Sequence, residues 1–381
     1  MSEQILFNDW GTTYNKCKLW RNNQYTDRVI LQNKVYEITQ KDVEALQRSF
    51  KDSTLETGIF TERYIDNHGL SAHANEISVQ EGAVADNKYK LEVAYRNMIE
   101  HLEAEFDVSI LDDPSQWKIA SAIALLDQAD AGTKLAEMHK EIILDKIGFG
   151  GVYIRNRPHF DIVGNLKTLE TYMTSPFTAC VVNVGGGDSK VVCVSKEPVP
   201  ETVKRTPFGG RTIIEEARAF VYALTSKPVR ETSEIQEWLI KYGDAWGNAE
   251  PRTEDWRGKT LEIEGLLNTV EMLFATSKFP ATNGKQSLTE IVIDSLEAAH
   301  TKGKEKFMRH AAHCILLTGG GSLWRGVAER LKVELEQYFP DLEGEINIIR
   351  SPDPQYSTLN GMINVHTTLK EKNREIPWET R

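Results

Sequence analysis

Three glycine-bearing stretches of this chain hold residue types that handle phosphate. In NDWGTTYNK, Asn8 to Lys16, an acid, a glycine, two hydroxyls and a lysine share one strand-turn-strand. Gly11 permits the turn, and the N–H groups and hydroxyls of Thr12 and Thr13 can clasp phosphate oxygens. Lys16 supplies a point charge, and Asp9 can hold a magnesium ion through a bound water. The same residues also read as an ordinary hairpin turn. The second stretch is ACVVNVGGGDSKVVCV, Ala179 to Val194, with Gly185, Gly186, Gly187 and Asp188 joining two apolar runs. Successive glycines weaken strands, so three in a row point to close approach of a ligand or another backbone. In the third, TGGGSLWRG, Thr318 to Gly326, a glycine turn connects a buried strand to a helix. It is not G-x-x-x-x-G-K-[ST], which excludes a P-loop, and it lacks the dinucleotide-fingerprint spacing. A tight strand-to-helix turn accounts for it equally well.

Other chemistry is sparse. His68 and His73, with Glu76 nearby, are metal-ligating types, but two histidines in a polar loop read more simply as solvated. No Ser-His-Asp or Cys-His set assembles from proximity, and LDDP and YFPDLEGE read as solvated turns.

The elements that must position these turns follow from periodicity. Short alternating runs, QILFNDW, KCKLWRN and RVILQNKVYEI, predict a meander of strands at the start. Residues 40 to 87 are polar and read as an excursion. Helical spacing runs from Lys88 to Phe106, KIASAIALL (118–126) reads as a buried strand, and KLAEMHKEIILDKIG as a helix ended by Gly148. GVYIRNR is a strand candidate, and residues 158 to 178 show no clear period. The second half repeats the order. The glycine hairpin is followed by PFGGRTIIEEARAFVYAL, a glycine turn feeding a helix, and then by a polar helical stretch (229–270) holding the loop WGNAEPRTEDWRGK. SLTEIVIDSLEAAH predicts a helix, HCILLTGGGSLWRGVAERLKVELEQYF a strand, loop and helix, and EINIIRSPDPQYSTLNGMINV a last strand, turn and helix. The economical expectation is two related α/β halves with a cleft between them.

Length and composition agree. At 381 residues the chain suffices for two domains, with 40% hydrophobic and 27% charged residues. A net charge of -11 argues against a nucleic-acid-coating or anionic-membrane surface. The four cysteines are widely spaced and two lie in apolar runs, as buried thiols in a reducing compartment would. No signal peptide or membrane span is read from the sequence, so a cytoplasmic location is expected.

The order and spacing of the three glycine motifs resemble the actin superfamily, shared with heat-shock chaperones and sugar kinases. Within it the chain is most similar to actin and to archaeal crenactin-type actins. LLTGGGSLWRGVAERLKVEL is similar to the adenosine-binding turn and helix, VPETVKRTPFGGRTIIEEA to the segment entering the fourth subdomain, and SPDPQYSTLNG to the segment whose tyrosine backs the adenine. The resemblance covers roughly residues 1–30 and 175–365 and is weak over 40–87. It implies the α/β actin-like ATPase fold, two domains and four subdomains around a nucleotide cleft. Residues 1–173 plus 346–381 would form the first domain, with 35–87 its second subdomain. Residues 174–345 would form the second, with 209–285 its fourth subdomain. ATP or ADP with Mg2+ would lie at the base of the cleft. Gly11, Thr12, Thr13, Lys16 and Gly185 to Asp188 would hold the phosphates. Gly210, Gly319, Gly320, Gly321, Ser322 and Trp324 would line the adenosine, and Tyr356 would flank the base.

Three departures bear on catalysis. Asn183 stands where actins and chaperones usually have an aspartate, so it and Asp9 are the candidate catalytic pair with one charge missing. The water-orienting glutamine of actins aligns with Arg157 or Leu166, and no glutamine occurs between Gly150 and Ala179. The acid and lysine that actins offer the ribose find Glu237 and Lys241 in an approximate register. The resemblance thus implies a filament-forming, ATP-binding protein with slow or altered hydrolysis. Its rivals are an actin-related structural subunit of a larger complex, and a phosphotransferase of the same superfold.

Overall fold

The computed structural model describes residues 3–11, 14–40, 42–43, 57–67, 75–78, 88–123, 129–175, 177–227 and 232–381. Thr12, Thr13, His68 and His73 therefore lie outside the described residues. The described chain forms two compact units. Unit 1 is Met1–Arg157 with Met362–Arg381, and unit 2 is Pro158–Gly361. Residues 158–173 and 346–361, which the resemblance assigns to the first domain, group with unit 2.

Unit 1 is built on the antiparallel hairpin of β1 (Gln4–Asp9) and β2 (Tyr14–Arg21), flanked by β3 (Gln24–Tyr25) and β4 (Val29–Gln32). A small second sheet, with β5 (Lys34–Ile38) between β6 (Gly58–Phe60) and β7 (Asn75–Ser78), follows in the chain. The main sheet is completed by β8 (Trp117–Ile123), parallel to β1, and β9 (Gly151–Asn156), parallel to β8. Its central strands β1 and β8 are buried nearly throughout, as in a sheet covered on both faces. The helix Lys88–Phe106 packs Leu91, Tyr95, Met98, Ile99 and Leu102 into a core shared with Leu6, Trp10, Leu19, Ile119 and Met138. The helix Ala129–Glu141 runs on through a wider turn, Ile142–Ile147, and stops at Gly148, whose φ of 98° suits only a residue without a Cβ.

Unit 2 repeats the plan. β10 (Thr178–Val184) and β11 (Ser189–Ser195) form an antiparallel hairpin, flanked by β12 (Glu197–Pro198) and β13 (Lys204–Thr206). A separate hairpin pairs β14 (Thr253–Trp256) with β15 (Lys259–Glu262). Next to β10, in parallel, lie β16 (Ile315–Thr318) and then β17 (Ile348–Arg350). The strand orders β3-β2-β1-β8-β9 and β12-β11-β10-β16-β17 match position for position, with β4 on β2 as β13 is on β11. The fold is therefore the mixed α/β, two-unit architecture that the sequence led us to expect. The helix Leu288–His313 starts at Ser287 with a full capping box: the Glu290 N–H donates to the Ser287 hydroxyl, and the Ser287 N–H to the Glu290 carboxylate.

Two segments differ from the sequence expectation. The stretch without a clear period contains a regular helix, Arg157–Leu169. Its buried face carries Asp161 and Asn165 alongside Phe160, Ile162 and Leu169, so hydropathy cannot reveal it. Those polar residues bond to neighbours: Thr358 donates to Asp161 Oδ1 at 2.8 Å and Asn165 donates to Ser357 at 2.8 Å. The stretch 229–270 holds the β14–β15 hairpin as well as helix. Its turn is Arg257-Gly258, both at positive φ (51° and 76°), the backbone of a tight hairpin.

Candidate functional site

In unit 1 the phosphate-type residues gather at the turn end of the β1–β2 hairpin. Asp9 ends β1 opposite Lys16, and the lysine ammonium sits 3.1 Å from its Oδ2. A third group joins them: the Arg157 Nε lies 2.9 Å from Asp9 Oδ1. Arg157 follows β9, next to β8, which itself pairs with β1, so parallel strand order carries it to the carboxylate. Asp9 is 2% exposed. Burial pushes its carboxyl up, but the Lys16 ammonium and the Arg157 guanidinium outweigh this and hold it below the usual carboxylate range. Gly11 sits in the turn where a Cβ would stand 2.0 Å from the Tyr14 carbonyl oxygen. Asn33, which sequence reasoning did not single out, clamps the turn by donating from Nδ2 to the Gly11 carbonyl at 2.7 Å.

Behind this turn, Trp10 packs against Tyr95 and His139 at ring-centroid distances of 4.4 and 5.6 Å. The Tyr95 hydroxyl and His139 Nδ1 are 2.6 Å apart. Burial, with a contribution from the Arg157 charge, pushes the His139 imidazole down to about 3, so it is neutral at ordinary pH.

In unit 2, three glycine turns that are far apart in sequence converge. The hairpin turn Gly185–Asp188 is closed by the Gly185 N–H donating to the Asp188 carbonyl at 3.0 Å. Its outer carbonyls accept from a helix start: Gly210 N–H donates to Gly185 O at 2.9 Å and Arg211 N–H to Gly186 O at 2.6 Å. The helix Gly210–Thr225 can approach this closely because a Cβ on Gly209 would lie 2.4 Å from Gly185 O. On the other side, Asn183 lies opposite Thr318, and its Nδ2 donates to the threonine hydroxyl at 3.0 Å. Gly319 then turns at φ 84°, where a Cβ would strike the Val184 carbonyl at 2.4 Å. Gly320 is exposed, while Gly321 and Ser322 are buried and the Ser322 hydroxyl donates to Gly319 O at 2.7 Å. The Gly319 N–H donates to Pro354 O at 3.0 Å, which brings the segment bearing Tyr356 to the same turn.

Trp324, expected along the adenosine, is a buried core residue at 4% exposure, with its ring against Gly321 and Gly210. It supports the turns from within the core. Lys241 and Glu237 are exposed on the helix Ser233–Tyr242, and the Lys241 ammonium lies over the Tyr242 ring at 4.8 Å. Asp188 is tied up by Lys190 at 3.3 Å and Arg205 at 2.8 Å, which makes its carboxylate a brace of the hairpin. Sequence reasoning also missed Asp244, whose carboxylate takes two bonds from Arg325 (3.1 and 2.6 Å) and one from Trp246 N–H (2.7 Å) just past the third glycine turn. No local motif announces a partner 81 residues away.

The donor set can be judged against a divalent ion. Asp9 is already paired with two cations, and Asn183 is neutral with its nitrogen committed to Thr318. Among the described residues no group of three or more His, Cys, Asp or Glu side chains is placed to hold a metal. These residues do not fit a resident magnesium held as the resemblance implies. All four cysteines are buried free thiols, and among the described residues no helix is long and apolar enough to cross a membrane.

A family model for actin matches residues 258–362, from the β14–β15 hairpin through the third glycine turn into the last helix. No curated protein matches the chain. Over these residues the chain is similar to the actin family, and the shared strand order of the two sheets agrees with that likeness.

Proposed function

We propose that the chain is an actin-like nucleotide-binding protein that assembles into filaments of its own kind, with ATP or ADP as the ligand. The observation that carries the reading is the convergence of three glycine turns in unit 2, at Gly185–Gly187, Gly209–Gly210 and Gly319–Gly321. Each has a backbone so close to a neighbour that a Cβ would collide, which is the architecture that lets a nucleotide approach main-chain N–H groups. Within unit 1, the turn bearing Gly11 carries two cationic side chains of phosphate-binding type, Lys16 and Arg157.

Hydrolysis on this reading is slow. Asp9 is neutralised by its partners, Asn183 carries no charge, and Arg157 is a cation that cannot accept a proton from an attacking water. Loss of general-base and charge-stabilising groups each removes about a hundredfold or more. Free buried thiols fit a reducing, cytoplasmic compartment. The test combines nucleotide binding by isothermal titration with light scattering and electron microscopy in ATP, ADP and no nucleotide. Saturable ATP binding with nucleotide-dependent assembly is expected. Binding without assembly at any salt or protein concentration would leave a non-polymerising actin-related subunit in its place.

A further inference from the structure

The cluster at the end of β1 has an unusual charge balance for a site expected to hold a metal–polyphosphate. One carboxylate, Asp9, is engaged by two cations, Lys16 at 3.1 Å and Arg157 at 2.9 Å. The three side chains are 3%, 22% and 15% exposed, which limits screening by solvent. Arg157 is fixed in place: its backbone continues from β9 into the helix Arg157–Leu169, and its Nε is anchored on Asp9. A guanidinium stays charged at all accessible pH and presents a planar fork of donors suited to phosphate.

A divalent ion in a polyphosphate site normally offsets phosphate charge and is held by carboxylates, directly or through water. Here the carboxylate that would hold it is engaged by two protein cations. The corresponding residue in unit 2 is an amide that donates to Thr318. An incoming cation would have to displace an arginine and a lysine from Asp9, at a cost in Coulomb energy, and would then meet their charges at close range.

Resting on the nucleotide-binding reading above, we infer that this chain binds its polyphosphate ligand without a divalent metal ion, with Arg157 supplying the positive charge. Arg157 is then a ligand-binding residue, and Asp9 serves to position it and Lys16.

Equilibrium binding of ATP to the full-length chain tests this, in magnesium-containing buffer and in excess EDTA, for wild type, Arg157→Lys and Arg157→Gln. Wild-type affinity is expected to differ by no more than about threefold between the two buffers. Arg157→Gln leaves Asp9 paired with Lys16 and is expected to lose about tenfold or more of the EDTA affinity, with magnesium restoring part of it. Arg157→Lys keeps the charge and is expected to stay metal-independent at a smaller loss. A wild-type loss of about tenfold or more in EDTA would overturn the inference while leaving nucleotide binding intact. Unchanged EDTA affinity in a folded Arg157→Gln chain would also overturn it. Absence of ATP binding in both buffers would remove the nucleotide reading along with it. If the glutamine variant does not fold, the wild-type comparison alone decides.

Discussion

The two hairpins answer one design with different chemistry. In unit 1, Asp9 pairs across the strands with Lys16; at the matching place in unit 2, Asn183 pairs with Lys190. Both residues also face a parallel strand, through Ala122 in one and Thr318 in the other. In unit 1 the carboxylate gathers cations, Lys16 and then Arg157. In unit 2 the amide gathers none, so Lys190 turns to Asp188 and Arg205 joins it there. The charge of one hairpin is concentrated on the strand, and that of the other is moved to its turn. Acid against amide at equivalent register goes with a different set of ion pairs around each hairpin. This is expected when buried or half-buried cations must find partners.

The comparison can be broken by mutation, and the largest effect is expected at Asp9. Asp9→Asn leaves Lys16 and Arg157 without their buried carboxylate and should destabilise the chain by about 3–5 kcal/mol in urea unfolding. The equivalent truncation Asn183→Ala removes one hydrogen bond and should cost only about 1 kcal/mol. Equal losses at both positions would show that the hairpins do not differ in this way.

The next effect concerns the glycine turns of unit 2. Gly319→Ala meets both a positive φ and the Val184 carbonyl and should cost about 1–3 kcal/mol and weaken nucleotide binding. Its neighbour Gly320 is exposed, with Gln355 Cγ the nearest atom to an added Cβ at 3.9 Å, so Gly320→Ala should be tolerated. Loss of binding by Gly320→Ala alone would mean that the exposed glycine touches the ligand.

A pH experiment probes the core behind the unit 1 hairpin. The folded-state His139 value, about 3, lies below its ordinary 6.5, so the unfolded chain takes up a proton first as pH falls. Stability attributable to the neutral imidazole is complete above about pH 6.5 and declines by about 1.4 kcal/mol per unit below it. Asp9, also held low, adds a further loss only below the ordinary carboxylate range. His139→Asn should flatten the melting temperature between pH 6.5 and 4.5, where Asp9 remains charged. An unchanged slope would place the titration elsewhere.

The smallest effect is expected from making the two hairpins alike. Asn183→Asp restores an acid opposite Lys190 and should change stability by less than about 1 kcal/mol. Phosphate release should stay near wild type while Arg157 stands, and rise only in combination with Arg157→Gln. A large rise from Asn183→Asp alone would make the missing charge, and not the arginine, the limiting feature.

The sequence by itself determined the turns and their order. Glycines announce their own backbone requirements, so Gly11, Gly185–Gly187, Gly210 and Gly319–Gly321 could be named from local chemistry. Alternation and helical spacing likewise predicted most strands, and the capped start at Ser287 agrees with the helix predicted there. The helix Arg157–Leu169 was hidden because its buried face uses Asp161 and Asn165, whose partners Thr358 and Ser357 lie almost 200 residues away. The Arg-Gly turn of the β14–β15 hairpin was hidden by the polar residues around it. The resemblance has Trp324 lining the adenosine, and the fold buries its ring at 4% exposure; no periodicity in the sequence shows that burial. What only the tertiary structure decided is which charges meet. Arg157 is one of two candidates for an aligned position in the sequence. Parallel pairing of β1, β8 and β9 places it 2.9 Å from Asp9 and gives that carboxylate its second cation. Backbone geometry is encoded locally, residue by residue. Ion pairing depends on distance through space, and strand order sets that distance.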